Sequence, residues 1–236
     1  MSGTMPIAER FVSINGEGLR VGQLSAFIRF AGCGLACSYC DTEWARADSA
    51  AVEHLTIEEL VAWAYVQPTA CITLTGGEPL QQPLLIDLVA ALLAHEAACP
   101  RTIEVETNGA HDPADLVALR NGGSTAKRPW NHLSITMDWK LPSSGMADKM
   151  APERLASIGA EDAVKFVCGD EDDLRAAKSV IDAQGLTLRT SVLISPVFDA
   201  LDPAVIVAFM KENGMERERL QLQLHKIIWP HVEKGV

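Results

Sequence analysis

The chain has 236 residues, a length that fits one domain, and its 20 basic against 31 acidic residues leave a formal net charge of −11. That acidic surplus argues against wholesale nucleic-acid binding, which needs a basic footprint, and no apolar run approaches the about 18 residues of a membrane span. The first residues also lack a signal-peptide apolar region, so the expectation is a cytoplasmic globular protein with neither nucleic acid nor membrane as partner.

Apolar alternation predicts strands near 25–31, 71–75, 101–107, 133–140, 163–168, 187–194 and 219–225. Helix-like runs lie between them, near 56–66, 80–97, 112–120, 151–158, 170–184 and 202–213. Several carry start signals. Thr56 precedes Ile57-Glu58-Glu59 in capping-box order, and Pro113 and Pro203 follow Asp112 and Asp202 as first-turn prolines behind an N-cap. Strand alternating with helix implies parallel βαβ units and an α/β fold. The least regular stretches are 32–55 and 121–131, and no linker composition divides the chain, so 1–236 is expected to form one domain.

A doubly covered parallel sheet should be apolar on both strand faces, yet one face here is repeatedly polar. Thr73 and Thr75 oppose Ile72 and Leu74; Glu104, Glu106 and Asn108 oppose Ile103, Val105 and Thr107. Ser134, Thr136, Asp138 and Lys140 oppose Leu133, Ile135, Met137 and Trp139, and Gln221, Gln223 and His225 oppose Leu220, Leu222 and Leu224. Arg29 sits between Ile28 and Phe30. A closed eight-stranded barrel fills its interior with bulky branched side chains. About six strands with a polar lining instead predict a partial (βα)6-type open barrel, TIM-like, around a large ligand.

Six cysteines divide unevenly. Cys33-x3-Cys37-x2-Cys40 follows the first predicted strand, while Cys71, Cys99 and Cys168 are scattered and read as bystanders. Three thiolates so close in sequence can hold three irons of a cubane cluster and leave the fourth open. The alternative is a structural zinc site, which needs a fourth ligand; His54 is the nearest histidine. Thr75-Gly76-Gly77-Glu78-Pro79 follows the second predicted strand, where paired glycines allow backbone to approach a ligand and the acid can accept from an amine. His54, His95 and His111 need no catalytic role, and the acidic run Asp170–Asp173 reads as a helix start.

Together, the cysteine triplet and the Gly-Gly-Glu-Pro turn resemble the radical S-adenosylmethionine (SAM) superfamily. The flanks are more specific: Phe11-Val12-Ser13-Ile14-Asn15-Gly16-Glu17-Gly18, Cys40-Asp41-Thr42, Glu106-Thr107-Asn108-Gly109, Lys140-Leu141-Pro142-Ser143-Ser144-Gly145-Met146 and Gln223-Leu224-His225-Lys226-Ile227-Ile228-Trp229-Pro230. With them the chain, from near 11 to near 230, is similar to the 7-carboxy-7-deazaguanine synthase family. The resemblance implies conversion of 6-carboxy-5,6,7,8-tetrahydropterin to 7-carboxy-7-deazaguanine with loss of ammonia, in queuosine or other 7-deazapurine biosynthesis. It implies a [4Fe-4S] cluster, SAM and Mg2+ as cofactors, an electron donor such as flavodoxin or ferredoxin, and a homodimer.

Carried over residue by residue, the resemblance makes Cys33, Cys37 and Cys40 the cluster ligands and Thr42 an oxygen donor to Mg2+. For Thr42 a plain turn role stays open. Arg29 becomes a substrate contact, with a buried ion pair to Glu104 or Glu106 as the alternative. Ile14, Asn15, Gly16, Glu17, Thr75, His225 and Pro230 fall to the pterin. Gly76, Gly77, Glu78, Asn108, Asp138, Trp139, Lys140 and Ser195 fall to SAM. This chain has Asn15 where relatives commonly carry Gln, Asp138-Trp139-Lys140 where they often carry Ser-Pro-Lys, and a tail, 231–236, beyond Pro230. Two other functions remain: a protein-activating radical SAM enzyme, and a zinc-binding interaction protein. Metal analysis separates the second, and an enclosed polar cavity argues against the first.

Overall fold

A computed structural model describes residues 3–96, 101–122 and 132–236. Cys99 and the irregular stretch 123–131 lie outside the described residues. The described strands form one sheet, β1 (Met5–Ile14), β2 (Leu24–Phe30), β3 (Glu53–Leu55), β4 (Cys71–Gly76), β5 (Thr102–Thr107), β6 (His132–Trp139), β7 (Ala163–Cys168), β8 (Ser191–Pro196) and β9 (Arg219–Leu220). Their order is β3-β1-β2-β4-β5-β6-β7-β8-β9. From β2 to β9 every pairing is parallel, whereas β1 pairs antiparallel with β2 and β3. The sheet is open and not a closed barrel, with β3 at one edge and β9 at the other.

The helices are α1 (Ile57–Val66), α2 (Leu85–Ala94), α3 (Ala114–Gly122), α4 (Glu171–Gln184), α5 (Pro203–Glu212) and α6 (Leu224–Ile228). Their starts follow the sequence signals. Thr56 and Glu59 form a reciprocal capping box, Asp202 caps Ala204 N, and Asp112 Oδ1 accepts from Ala114 N at 2.9 Å. The acidic run at 170–173 opens α4, where Asp170 accepts from Asp173 N.

Several elements differ from expectation. The predicted 219–225 strand stops at Leu220, and 224–228 turns into α6 because Leu224 N bonds Gly16 O at 2.9 Å. The 151–158 helix is a 3-10 stretch over Pro152–Ser157, and β1 and β3 are additional strands.

The helices cover the apolar strand face. Ile28, Ile72, Ile103, Ile135, Phe166 and Ile194, from successive parallel strands, belong to one buried core with residues of α1 to α5. Burying an aliphatic or aromatic side chain contributes about 1.5–3 kcal/mol, so this face closes the sheet against its helices. The polar face then divides. Loop 15–23 crosses its lower half: Gly18 exchanges two hydrogen bonds with Gln221 at 2.8 and 2.9 Å, and Leu19 N donates to Glu104 at 3.3 Å. Ser25, Thr73, Glu104 and Thr136 are buried beneath that loop. Arg29, Thr75, Glu106, Asp138 and Lys165, farther along the strands, remain open to a cavity.

Candidate active site at the open end of the sheet

The cavity has a volume of about 510 Å³, within the range of ligand pockets. Cys33, Cys37 and Cys40 line one wall. Their loop is fastened on both sides. Cys33 N donates to Arg46 O at 2.8 Å, Ser38 N to Ser144 O at 3.0 Å, and Tyr39 Oη to Val167 O at 3.2 Å. Leu35 N and Asn108 Nδ2 lie 3.5 and 3.4 Å from Cys33 Sγ, donors placed to stabilise a thiolate. Burial pushes the Cys37 thiol above its usual range, with Lys140 pulling the other way; metal ligation removes that penalty because it takes the sulfur as thiolate. Thiols spaced around a cavity wall suit a cluster, in which each takes its own iron.

The glycine turn lies directly against this loop. Gly77 N donates to Phe30 O at 2.9 Å and Glu78 N to Gly32 O at 2.7 Å. A Cβ at Gly77 would stand 1.9 Å from Gly32 O. Only glycine permits that crossing, and it leaves backbone facing the cavity. Glu78 is fully buried behind the wall: Thr107 Oγ1, Asn108 N and Leu80 N donate to its carboxylate at 2.6, 2.7 and 2.9 Å. Burial pushes it up to about 7, against those donors. Its carboxylate ties the glycine turn to the end of β5 and does not line the cavity.

Charged groups occupy the floor. Glu17 Oε1 and Asp138 Oδ1 flank Lys165 Nζ at 2.6 and 3.0 Å, and Lys140 Nζ meets Asp138 Oδ2 at 2.8 Å. Gln223 Nε2 donates to Glu17 Oε2 at 3.3 Å. Burial opposes the charge on both lysines, but their carboxylate neighbours outweigh it and hold them protonated. Glu106 is pushed up to about 8, first by burial and then by Glu104 beside it. Arg29 pairs through Nε with Glu9 Oε1 at 2.8 Å, neither with Glu104 nor with Glu106, and its guanidinium lies 5.7 Å from the Phe11 ring.

The roof comes from the carboxyl-terminal segment. His225 packs so closely on Gly16 that a Cβ there would meet its Nδ1 at 2.0 Å, and its Nε2 is 3.5 Å from Asp41 Oδ2. Lys226 Nζ lies 3.6 Å from the same oxygen, which joins α6 to the cysteine loop. The tail folds back. Gly235 N donates to Glu9 Oε2 at 3.1 Å, Lys234 Nζ sits 4.3 Å from the Trp44 ring centroid, and Val232, Glu233 and Val236 line the cavity.

One cavity therefore gathers Ile14, Gly16, Glu17, Arg29, Thr42, Thr75, Gly76, Gly77, Asn108, Asp138, Lys140 and His225 around the three cysteines. Four expected residues are placed elsewhere, besides the carboxylate of Glu78. Trp139 turns into the apolar core, because strand alternation sends it opposite to Asp138 and Lys140. The Asn15 side chain points into the floor, accepting from Thr73 Oγ1 at 2.9 Å and reaching Cys71 Sγ at 3.7 Å. Pro230 is exposed and outside the cavity lining. Ser195 is fully buried with its hydroxyl unpartnered, below the lining formed by Val197 and Phe198. Sequence reasoning missed Glu9, Asp41, Glu106 and Lys165 as site residues. Lys165 had a readable signal: a lone charge in Ala163-Val164-Lys165-Phe166, in register with Asp138.

Residues 27–138 match the radical SAM superfamily. Over 98% of both chains the sequence is 40% identical to a Clostridium acetobutylicum protein named 7-carboxy-7-deazaguanine synthase. A Methanospirillum hungatei protein of the same name is 37% identical over 96% of this chain and 86% of its own. The crystal structure of QueE from Escherichia coli superposes with a TM-score of 0.66 at 20% identity, covering 93% of this chain and 94% of that one, and supports the fold. With near full-length relatives well above 30% identity, the chain belongs to the 7-carboxy-7-deazaguanine synthase family of radical SAM proteins.

Proposed function

We propose that this protein converts 6-carboxy-5,6,7,8-tetrahydropterin to 7-carboxy-7-deazaguanine, with loss of ammonia, in queuosine or related 7-deazapurine biosynthesis. The observation that carries the reading is one cavity shared by the cysteine loop and by Arg29, Glu17 and His225. When bound at Cys33, Cys37 and Cys40, a [4Fe-4S] cluster with SAM supplies reductive formation of a 5′-deoxyadenosyl radical. The backbone of Gly76 and Gly77, with the Gly77 amide held by Phe30 O, forms the wall against which the methionine end of SAM lies, and Asp138 accepts from ribose hydroxyls. Arg29 keeps guanidinium donors for the substrate carboxylate, since Glu9 engages its Nε. Glu17 accepts from the amino edge of the pterin, Ile14 and Gly16 supply backbone contacts, Thr75 adds a hydroxyl, and His225 closes the roof. Thr42 would offer one hydroxyl oxygen to Mg2+, a hard ion that prefers oxygen donors.

We also propose, as the resemblance implies, that residues 1–236 form one radical SAM domain, that the protein is a homodimer, and that flavodoxin or ferredoxin reduces it in the cytoplasm. Among the described residues, no helix is long and apolar enough to cross a membrane. The test is anaerobic turnover of reconstituted enzyme with the carboxytetrahydropterin, SAM, Mg2+ and a reductant, read as deazaguanine product. Iron and sulfide near a 4:4 ratio with SAM cleavage but no product would refute the substrate and leave the superfamily standing; stoichiometric zinc in place of iron would refute both.

A further inference from the structure

Lys165 is the strongest unassigned feature of the cavity. It stands in the middle of β7 between Val164 and Phe166, both in the apolar core, and its own side chain is 7% exposed. An ammonium so placed costs several kcal/mol to desolvate unless it is paired, and an apolar residue of similar volume would pack there without that cost. Here it is paired twice, with carboxylates from two distant parts of the chain. Glu17 comes from the loop after β1, and Asp138 from the end of β6, directly opposite Lys165 in the parallel register.

The two carboxylates are held symmetrically. Each gives one oxygen to Lys165 and the other to a separate donor, Gln223 for Glu17 and Lys140 for Asp138. A continuous chain thus runs from Gln223, beside α6, to Lys140, near the cysteine loop. Each carboxylate oxygen has about two acceptor directions, so one remains for a ligand after these bonds are made. Glu106 lies on the same floor, where burial and the neighbouring Glu104 both push it up and disfavour its charge. Two cations then face two anions, and the network balances without a ligand.

We propose that Lys165 is a positioning residue that fixes Glu17 and Asp138 relative to each other, and so sets the pterin against the SAM ribose. The proposal rests on the reading of Glu17 as a pterin acceptor and Asp138 as a ribose acceptor. It assigns Lys165 no contact with either ligand. Its consequence is geometric: a radical step needs its two partners in near-attack register, and displacement by about 1 Å costs on the order of a hundredfold.

The experiment uses anaerobically reconstituted but unreduced enzyme, in which SAM and the carboxytetrahydropterin bind without turnover. Lys165→Met is expected to weaken pterin binding at least tenfold alone but less than twofold in a Glu17→Gln background. The same pattern is expected for SAM against Asp138→Asn, and Lys165→Arg should restore most of both losses. After reduction, abortive 5′-deoxyadenosine released per product should rise at least tenfold in Lys165→Met. Lys165→Gln carries the same expectations if Lys165→Met does not take up iron. A merely structural lysine would lower melting temperature and iron content while leaving both couplings and the product ratio unchanged, and that result overturns the proposal. Equal losses in the single and Glu17→Gln backgrounds overturn it too. If Glu17→Gln weakens pterin binding while Lys165→Met does not, the positioning role alone fails; if Glu17→Gln has no effect, the reading of Glu17 fails and the proposal falls with it.

Discussion

Replacing Gly77 by alanine tests how tightly the cysteine loop and the glycine turn depend on each other. The added Cβ would lie 1.9 Å from Gly32 O and 2.4 Å from Gly32 C, against a floor of 3.0 Å for real contacts, so the two backbones must part by at least 1.1 Å. Both partners are main chain, and no rotamer change can absorb the overlap. Two hydrogen bonds span this crossing, Gly77 N to Phe30 O and Glu78 N to Gly32 O. Their loss costs about 2 kcal/mol together, or a fall of about 4–8 °C in melting temperature for a chain of this size. Gly32 adjoins Cys33, so the displacement also reaches the cluster ligands. Gly77→Ala should therefore bind iron poorly after reconstitution and lose about a hundredfold in SAM cleavage. Gly145→Ala would be strained by its positive φ, so Gly122→Ala is the control, its Cβ meeting nothing within 4 Å among the described residues. Scanning calorimetry, iron content and 5′-deoxyadenosine release read the outcome. A Gly77→Ala protein matching the Gly122→Ala control in all three would refute the rigid crossing.

Arg120→Met should cost about 2–3 kcal/mol in urea unfolding, because it removes the cation that grips the fully buried Asp162 with two bonds of 2.6 and 3.0 Å and leaves that carboxylate only the Ile135 and Gly159 amides; a loss under about 1 kcal/mol would contradict the pairing. Glu106 binds its proton more tightly folded than unfolded, rising from 4.5 to about 8. Stability from this group is thus fully present below about pH 4.5 and is lost as pH climbs through about 8. Glu106→Gln should flatten the decline of unfolding free energy across that window, and a variant profile as steep as wild type would refute the assignment. Deleting 231–236 removes the Gly235–Glu9 hydrogen bond and the Lys234–Trp44 contact. At about 1–2 kcal/mol for the pair, the unfolding free energy should fall by about that much, and the substrate KM should rise with kcat nearly constant because the wall formed by Val232, Glu233 and Val236 is lost; an unchanged KM would show that the tail does not close the cavity.

The legible part of this protein is whatever strand alternation controls. Ile28, Ile72 and Ile135 faced the helices as their period requires, and Arg29, Glu106 and Asp138 faced the cavity. The same rule corrects the placement of Trp139, where motif correspondence pointed inward and the pleat pointed outward. It also covers Lys165, although a run of apolar neighbours masks the signal. Alternation fails where pairing is short or irregular. In β1 the register shifts between Ile7 and Glu9, and β3 has three residues. Near 219–225, alternating leucines imitate a strand that the Gly16–Leu224 bond ends in favour of a helix.

What alternation cannot assign is depth along the lumen. Glu104 and Glu106 share a face and differ by one pleat repeat, yet one accepts from Leu19 N in loop 15–23 and the other lines the cavity. That difference is decided by where the loop crosses, and the loop is anchored by Gly18 and Gln221, 203 residues apart. The same long-range crossing draws the Asn15 side chain into the floor and leaves Gly16 and Glu17 above it. No local pattern encodes a contact of that span, so the division of a continuous polar stripe into plug and active site belongs to the closed fold.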